Sequence, residues 1–397
     1  MTNEGQMTES VEPSARASAE RSSQPGRFDT IQLLRFLAAF MVVLVHATFY
    51  THERLAPDFP LYDEGASGVR LFFVISGFVM IVSSSRLVEA TNGWRIFAVK
   101  RICRIVPIYW AILTLKLAIM LATPAMVLHA ELDWAYILKS YFFVPAHNVD
   151  GVIAPFLGVG WTLNFEMFFY GLFALALFLR IKPLFALTPA LIVLAALSLV
   201  RAPSWPVSLY FYSDPIVLDF LAGMFIALAT RPLSTMPQPL AIGLALIGLV
   251  WLFAPLGISA GGTPTGQLIN SIGRTVASAL VVMGAIGMER RFGRHVPGFV
   301  LLLGAASYSL YLIHPIVAPV APQLMGKLGL QWPLLAIAGS IVSATIAAII
   351  AYRCVEEPVT AIVTRLARSL DLIPGGPDGL DKPLASPRPE RRTSEPA

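Results

Sequence analysis

Charge is scarce in this sequence, and so is cysteine. Lys, Arg, Asp and Glu make up 13% of the 397 residues, about half the share found in an ordinary soluble domain. That excludes a water-exposed globule of this length. Two cysteines, Cys103 and Cys354, cannot build a disulfide framework. Neither CxxC nor HExxH spacing occurs, so no metal site is expected, and both cysteines read as packing residues near span ends. The 29 basic and 24 acidic residues leave a net charge of only +5. The basic ones sit beside apolar runs rather than along a solvated stripe, which excludes nucleic acid as a partner.

What the sequence has instead is apolar length: 56% of its residues are hydrophobic. Ten runs are long enough to be read as membrane spans: 31–50, 67–84, 104–123, 162–179, 184–200, 215–230, 239–256, 272–288, 299–318 and 333–353. The expected fold is therefore all-α, a polytopic integral membrane bundle of about ten transmembrane helices. Residues 1–28 read as a disordered tail and 29–358 as the membrane domain. Residues 359–397 read as an amphipathic segment followed by a second disordered tail. With the N-terminus cytoplasmic, the inner connections carry Arg86, Arg95, Lys100, Arg101, Arg104, Arg180, Lys182, Arg231, Arg290, Arg291 and Arg294. The outer ones carry only Arg54, Lys139, Arg201 and Lys327. This asymmetry predicts both termini inside. The longest outer loop, 124–161, holds Trp134, Tyr136 and Trp161 as interfacial aromatics, and no loop is long enough for a separate soluble domain.

The first run carries two side chains that are costly in a membrane, Arg35 and His46. Eleven positions make about three helical turns, so both fall on one face, about 16 Å apart along the axis. Ala38, Ala39, Val42 and Val43 lie between them on that face and leave room for a neighbouring helix or a thin ligand. A snorkelling arginine and a hydrogen-bonded histidine are the plain alternative. By depth, His46, Arg70, Glu166, Asp219 and His314 fall about a turn from the outer ends of five different helices, which suggests a polar cavity opening outward. Arg70, Glu166 and Asp219 could instead neutralise one another as buried pairs. Arg35, Lys100, Arg101 and Arg104 form a basic zone at the inner ends of the first and third spans. It serves either as an anchor to anionic lipid headgroups or as an anion site matched to phosphates. Glu356 and Glu357, on the same side, could pair with some of these arginines.

Six fragments in order resemble one family: Arg35 and His46 at their spacing, Gly68-Val-Arg-Leu-Phe-Phe-Val-Ile-Ser-Gly-Phe78, Lys100-Arg-Ile-Cys-Arg-Ile-Val-Pro-Ile-Tyr-Trp110, Gly160-Trp-Thr-Leu-Asn-Phe-Glu166-Met-Phe-Phe-Tyr170, Ser307-Tyr-Ser-Leu-Tyr-Leu-Ile-His314 and Glu357-Pro358. The chain is similar to the acyltransferase 3 family of bacterial membrane O-acyltransferases, and within it to stand-alone exopolysaccharide O-acetyltransferases. One departure is Thr162, where relatives often have Ser; a packing or hydrogen-bonding role is expected for it.

The resemblance implies a multi-pass protein of the bacterial inner membrane. It implies acetyl-coenzyme A as donor co-substrate, a polysaccharide or lipid-linked glycan hydroxyl as acceptor, and an essential Arg35–His46 pair. On this expectation His46 is the general base, Glu166 holds its imidazole, and Arg70 contacts the oxyanion or acceptor. Arg35, Arg101 and Arg104 hold the coenzyme A phosphates, and Asp219, Tyr308 and His314 contribute to substrate binding. Ser76 is a weaker candidate nucleophile, since a Ser-Gly pair within a span more commonly makes a close-packing contact. A secondary transporter also carries buried charges at matched depth, but residues 31–200 and 201–353 show no convincing repeat.

Overall fold

A backbone in hydrocarbon has no water to satisfy it, so each apolar stretch must close its own hydrogen bonds as a helix. The computed structural model describes residues 28–124, 131–253 and 262–374, and no strand occurs among them. In chain order the helices are α1 (Asp29–Arg54), α2 (Gly68–Ser84), α3 (Gly93–Ala122), α4 (Trp134–Tyr141), α5 (Trp161–Phe178), α6 (Pro183–Leu197), α7 (Val207–Tyr212) and α8 (Val217–Leu228). They continue as α9 (Thr230–Ser234), α10 (Gln238–Phe253), α11 (Pro264–Phe292), α12 (Gly298–Ala305), α13 (Ser307–Val317), α14 (Val320–Lys327), α15 (Pro333–Ala351) and α16 (Glu357–Ser369). A π-helical stretch, Tyr352–Glu356, joins the last two. The tails expected over 1–28 and 369–397 lie largely outside the described residues.

The expected ten spans are not ten equal ones. Among the described residues seven helices are long and apolar enough to cross a membrane. An eighth candidate span is broken, because α12 and the segment Ser307–Lys327 meet at a 68° bend. Two more, α8 with 12 residues and α10 with 16, are shorter. At 1.5 Å per residue α8 reaches only about 18 Å, well under a bilayer core of about 30 Å.

Small residues explain how a short helix is held. A Cβ added to Gly77 of α2 would lie 2.0 Å from the Phe220 carbonyl oxygen, and one added to Gly223 of α8 would lie 2.0 Å from that of Val74. The two glycines thus let α2 and α8 cross backbone to backbone, the close approach that packs helices where no hydrophobic drive separates helix from lipid. Of three glycines that could mark broken helices, as in a transporter, Gly77 and Gly223 are packing contacts inside continuous helices, while Gly304 lies at the end of α12, beside the 68° bend.

Helix α1 runs through the bundle against α2, α11, α12, α13 and α15. Its first turn is anchored from α11: the Glu289 carboxylate accepts from the Asp29 and Thr30 backbone amides at 3.0 and 2.9 Å. These are amides that a helix N-terminus leaves unsatisfied. Helix α3 starts eleven residues before its expected boundary, running through the basic segment instead of beginning after it. The reason is local: the Arg101 guanidinium folds over the rings of Phe97 and Tyr170, 5.4 and 5.5 Å from their centroids, so the charge is held by aromatic faces.

Candidate functional site

The face of α1 between Arg35 and His46 is closed by small residues. Ala38, Ala39, Val42 and Val43 are all buried, so the two polar side chains mark separate sites at either end of one packed helix stretch.

At the Arg35 end lies a cavity of about 180 Å³, lined in part by Arg35, Ser76, Arg101, Glu166, Tyr170 and Tyr308. Glu166 is fixed there by two donors, the Ser76 hydroxyl at 3.2 Å and the Tyr170 hydroxyl, both on its Oε1. Arg101 donates to Ser83 Oγ at 2.7 Å, and Arg35 donates to Gln32 Oε1 at 3.1 Å. The charges of Arg104, Glu356 and Glu166 all act on Arg35. Arg104 is exposed and also lines the cavity. Tyr308 donates to the Ile105 carbonyl at 2.9 Å, which ties α13 to α3 beside the same cavity. Three guanidiniums therefore gather around one cavity together with the Glu166 carboxylate. Such an arrangement can bind an anion with several oxygens, since guanidinium forks match phosphate geometry.

At the other end, His46 Nδ1 lies 2.9 Å from the Val42 carbonyl oxygen. A carbonyl can only accept, so this nitrogen carries the proton and Nε2 is left as the basic one. His314, fully buried on α13, repeats the arrangement: its Nδ1 is 3.0 Å from the Leu310 carbonyl oxygen, and its Nε2 has no hydrogen-bond partner among the described residues. The two imidazoles meet edge to face with centroids 4.8 Å apart. Tyr311, which lines the first cavity, is 6.1 Å from His314. Its hydroxyl donates to the Val159 carbonyl at 2.9 Å and accepts from Thr162 at 2.9 Å. Thr162 thus makes a buried hydrogen bond, as expected of it.

The five ionisable residues expected at one level divide into two pairs, His46 with His314 and Arg70 with Asp219, while Glu166 stands apart from both. Glu166 does not reach His46; it stands in the Arg35 cavity. Depth had been counted from a helix start at 162, but a helical turn over Gly158–Gly160 precedes α5, and eight residues of rise carry Glu166 about 12 Å inward. Arg70 is not beside His46 either. Its Nη1 is 3.1 Å from Asp219 Oδ2, and its Nη2 donates to Ser271 Oγ at 3.0 Å. Asp219, fully buried, is held by Arg70 and by Thr275 on α11 rather than standing free for substrate. Tyr308 belongs to the cavity at the Arg35 end rather than to one at the His46 end.

Two residues of the first cavity, Ser76 and Tyr170, have a role that their sequence pattern alone does not assign. Ser76 had been set aside as a packing residue; Gly77 supplies that contact, while Ser76 holds Glu166. Tyr170 was readable from its spacing, one turn after Glu166. Of the two carboxylates expected to pair with arginines, Glu356 feels the charges of Arg104 and Arg35 and accepts a hydrogen bond from Ser309, whereas Glu357 pairs with Arg353 at 3.1 Å on an exposed surface.

Residues 28–352 match the family described as an acyltransferase domain (acyltransferase 3). The chain is 35% identical over 323 residues to the exopolysaccharide production protein ExoZ of Rhizobium meliloti (strain 1021), covering 78% of this chain and 93% of that protein. No solved structure matches the chain.

Proposed function

The chain belongs to the acyltransferase 3 family of membrane O-acyltransferases, and from that premise we propose that it transfers an acetyl or other short acyl group from acyl-coenzyme A to a hydroxyl of an exported polysaccharide. The name of its relative supports the acceptor class. Its place would be the bacterial inner membrane, both termini cytoplasmic and the Arg35 end facing the cytoplasm, as the basic loops favour.

The observation that carries the reading is the tautomer of His46. Because Nδ1 donates to Val42, Nε2 is the nitrogen able to accept a hydroxyl proton. It stands about 16 Å of helix away from the guanidiniums. Arg35, Arg101 and Arg104 hold the donor's phosphates at their cavity, and the slender pantetheine arm spans the distance past Tyr311, which lines that cavity and stands 6.1 Å from His314, rather than along the closed face of α1. The acceptor hydroxyl gives its proton to His46 Nε2 as its oxygen attacks the thioester carbonyl. The carbon–sulfur bond then breaks, the ester forms, and the imidazolium returns the proton to the departing thiolate. Glu166, bonded to Ser76 and Tyr170, takes no part at the base; it balances the charge of the phosphate site.

Arg101→Ala removes one guanidinium from the donor site. A lost charged hydrogen bond costs about 1.5–3 kcal/mol, so KM for acetyl-coenzyme A should rise about 10- to 100-fold, with KM for the glycan unchanged. Steady-state transfer of labelled acetyl in isolated membranes measures both. An unaltered donor KM would remove Arg101 from the site.

A further inference from the structure

A second, larger cavity of about 660 Å³ lies apart from the Arg35 cavity, within the size range of small-molecule sites. Two segments build most of it. Residues 147–153 turn back on themselves through an isolated bridge from His147 to Ile153, and residues 201–216 carry α7. The cavity wall includes Arg70, His147, Trp161, Arg201, Trp205 and Asp214.

Its chemistry differs from that of the first cavity. Each of its guanidiniums already faces a carboxylate: Arg70 lies 3.1 Å from Asp219, and Arg201 lies 3.4 Å from Asp214. The fixed charge is close to balanced, so the cavity has no surplus cation to hold a phosphate or a polyanion. It is rich in aromatic faces instead. Arg201 stacks 4.5 Å above the ring of Tyr210, another wall residue. Trp205 is half-buried, yet among the described residues no ring packs on it and its indole N–H has no acceptor. An indole left open in a cavity of hydroxyl-binding groups presents a flat apolar face and a donor edge together. The apolar C–H face of a pyranose ring fits the first, and its ring hydroxyls fit the second.

The position fits as well. Phe73 of α2 lines the first cavity and packs edge-on against Trp161 and Phe165, at 6.5 and 5.9 Å, both of which line the second. One aromatic layer separates the two cavities. We propose that the cavity between residues 147–153 and 201–216 is the binding site for an uncharged segment of the acceptor saccharide, with Trp205 as its stacking platform. This rests on the reading of the protein as a glycan O-acyltransferase.

The test uses the full chain, purified into nanodiscs. The probe is a set of neutral hexose oligosaccharides released by mild acid from the exported polysaccharide of the producing strain, with oligogalacturonate as the polyanionic comparison. Tryptophan fluorescence reads binding without any acyl transfer, and labelled acetyl transfer is measured on the same samples. Neutral oligosaccharides should bind and oligogalacturonate should not. Trp205→Ala should weaken binding and raise the acceptor KM at least about tenfold, with the donor KM unchanged. Trp205→Phe should stay within about threefold of wild type, because the stacking face is kept. His147→Ala, an exposed position in the same wall, should move the acceptor KM in the same direction and guards against a folding defect in the first variant. Binding and acceptor KM unchanged in both alanine variants would overturn the proposal, as would tight binding of oligogalacturonate. Trp205-dependent binding with no acyl transfer by wild type would keep the cavity assignment and remove the acyltransferase reading of the acceptor.

Discussion

His46→Gln lowers kcat for acyl transfer by about 10²–10⁴-fold, the range that a positioned general base contributes, and leaves KM for the donor where it was. The second half of that result is as informative as the first. Glutamine fills much of the same volume and can still donate to the Val42 carbonyl, but it offers no nitrogen that takes a proton at neutral pH. The donor is held about 16 Å away by guanidiniums that do not touch His46, so its affinity has no reason to change. Steady-state transfer of labelled acetyl in membranes containing equal amounts of wild type and variant separates the two constants. A variant that turns over at the wild-type rate would remove His46 from the chemistry; one that loses donor affinity would place the phosphates elsewhere.

Asp219→Leu destabilises the protein by about 3–5 kcal/mol, the cost of leaving a largely buried charge without its partner. Arg70 has few alternatives, since its remaining contacts are to Ser271, and its side chain is only 14% exposed. The double variant Arg70→Met with Asp219→Leu should regain most of that loss, because replacing both charges by apolar groups of similar size is often close to neutral. Unfolding of the purified variants in mixed micelles of rising SDS fraction measures both. If the single variant is as stable as wild type, the pair does not bind α2 to α8. If the double variant is no better than the single one, the loss comes from packing rather than from the orphaned charge.

The helices were legible because lipid allows the chain so little choice: a long apolar run closes its own hydrogen bonds, and its length alone is enough to find it. The shared face of Arg35 and His46 was legible for the same reason, since helical rotation fixes it without any knowledge of neighbours. The gathering of Arg35, Arg101 and Arg104 could be seen from their common position at the ends of two spans. Partner choice could not. Arg70 faces Asp219 rather than Glu166 because Gly77 and Gly223 bring α2 and α8 into backbone contact, a fact about two distant glycines that no spacing around Arg70 records. Glu166 was misplaced by one boundary, as a helical turn ahead of α5 shifted its depth. The larger cavity was invisible because its wall joins two connecting segments, 147–153 and 201–216, to Arg70 of α2 and to Trp161 and Phe165 of α5, and these residues meet only in the fold.

The most direct test of the account separates donor and acceptor by a membrane. The purified protein is reconstituted into sealed liposomes with labelled acetyl-coenzyme A trapped inside and neutral oligosaccharide acceptor supplied only outside. A basic donor site at one end of α1 and a base at the other predict alkali-labile label on the external acceptor, appearing about 10²–10⁴-fold more slowly when the liposomes carry His46→Gln. Label that appears only when donor and acceptor share a compartment would contradict the two-ended site.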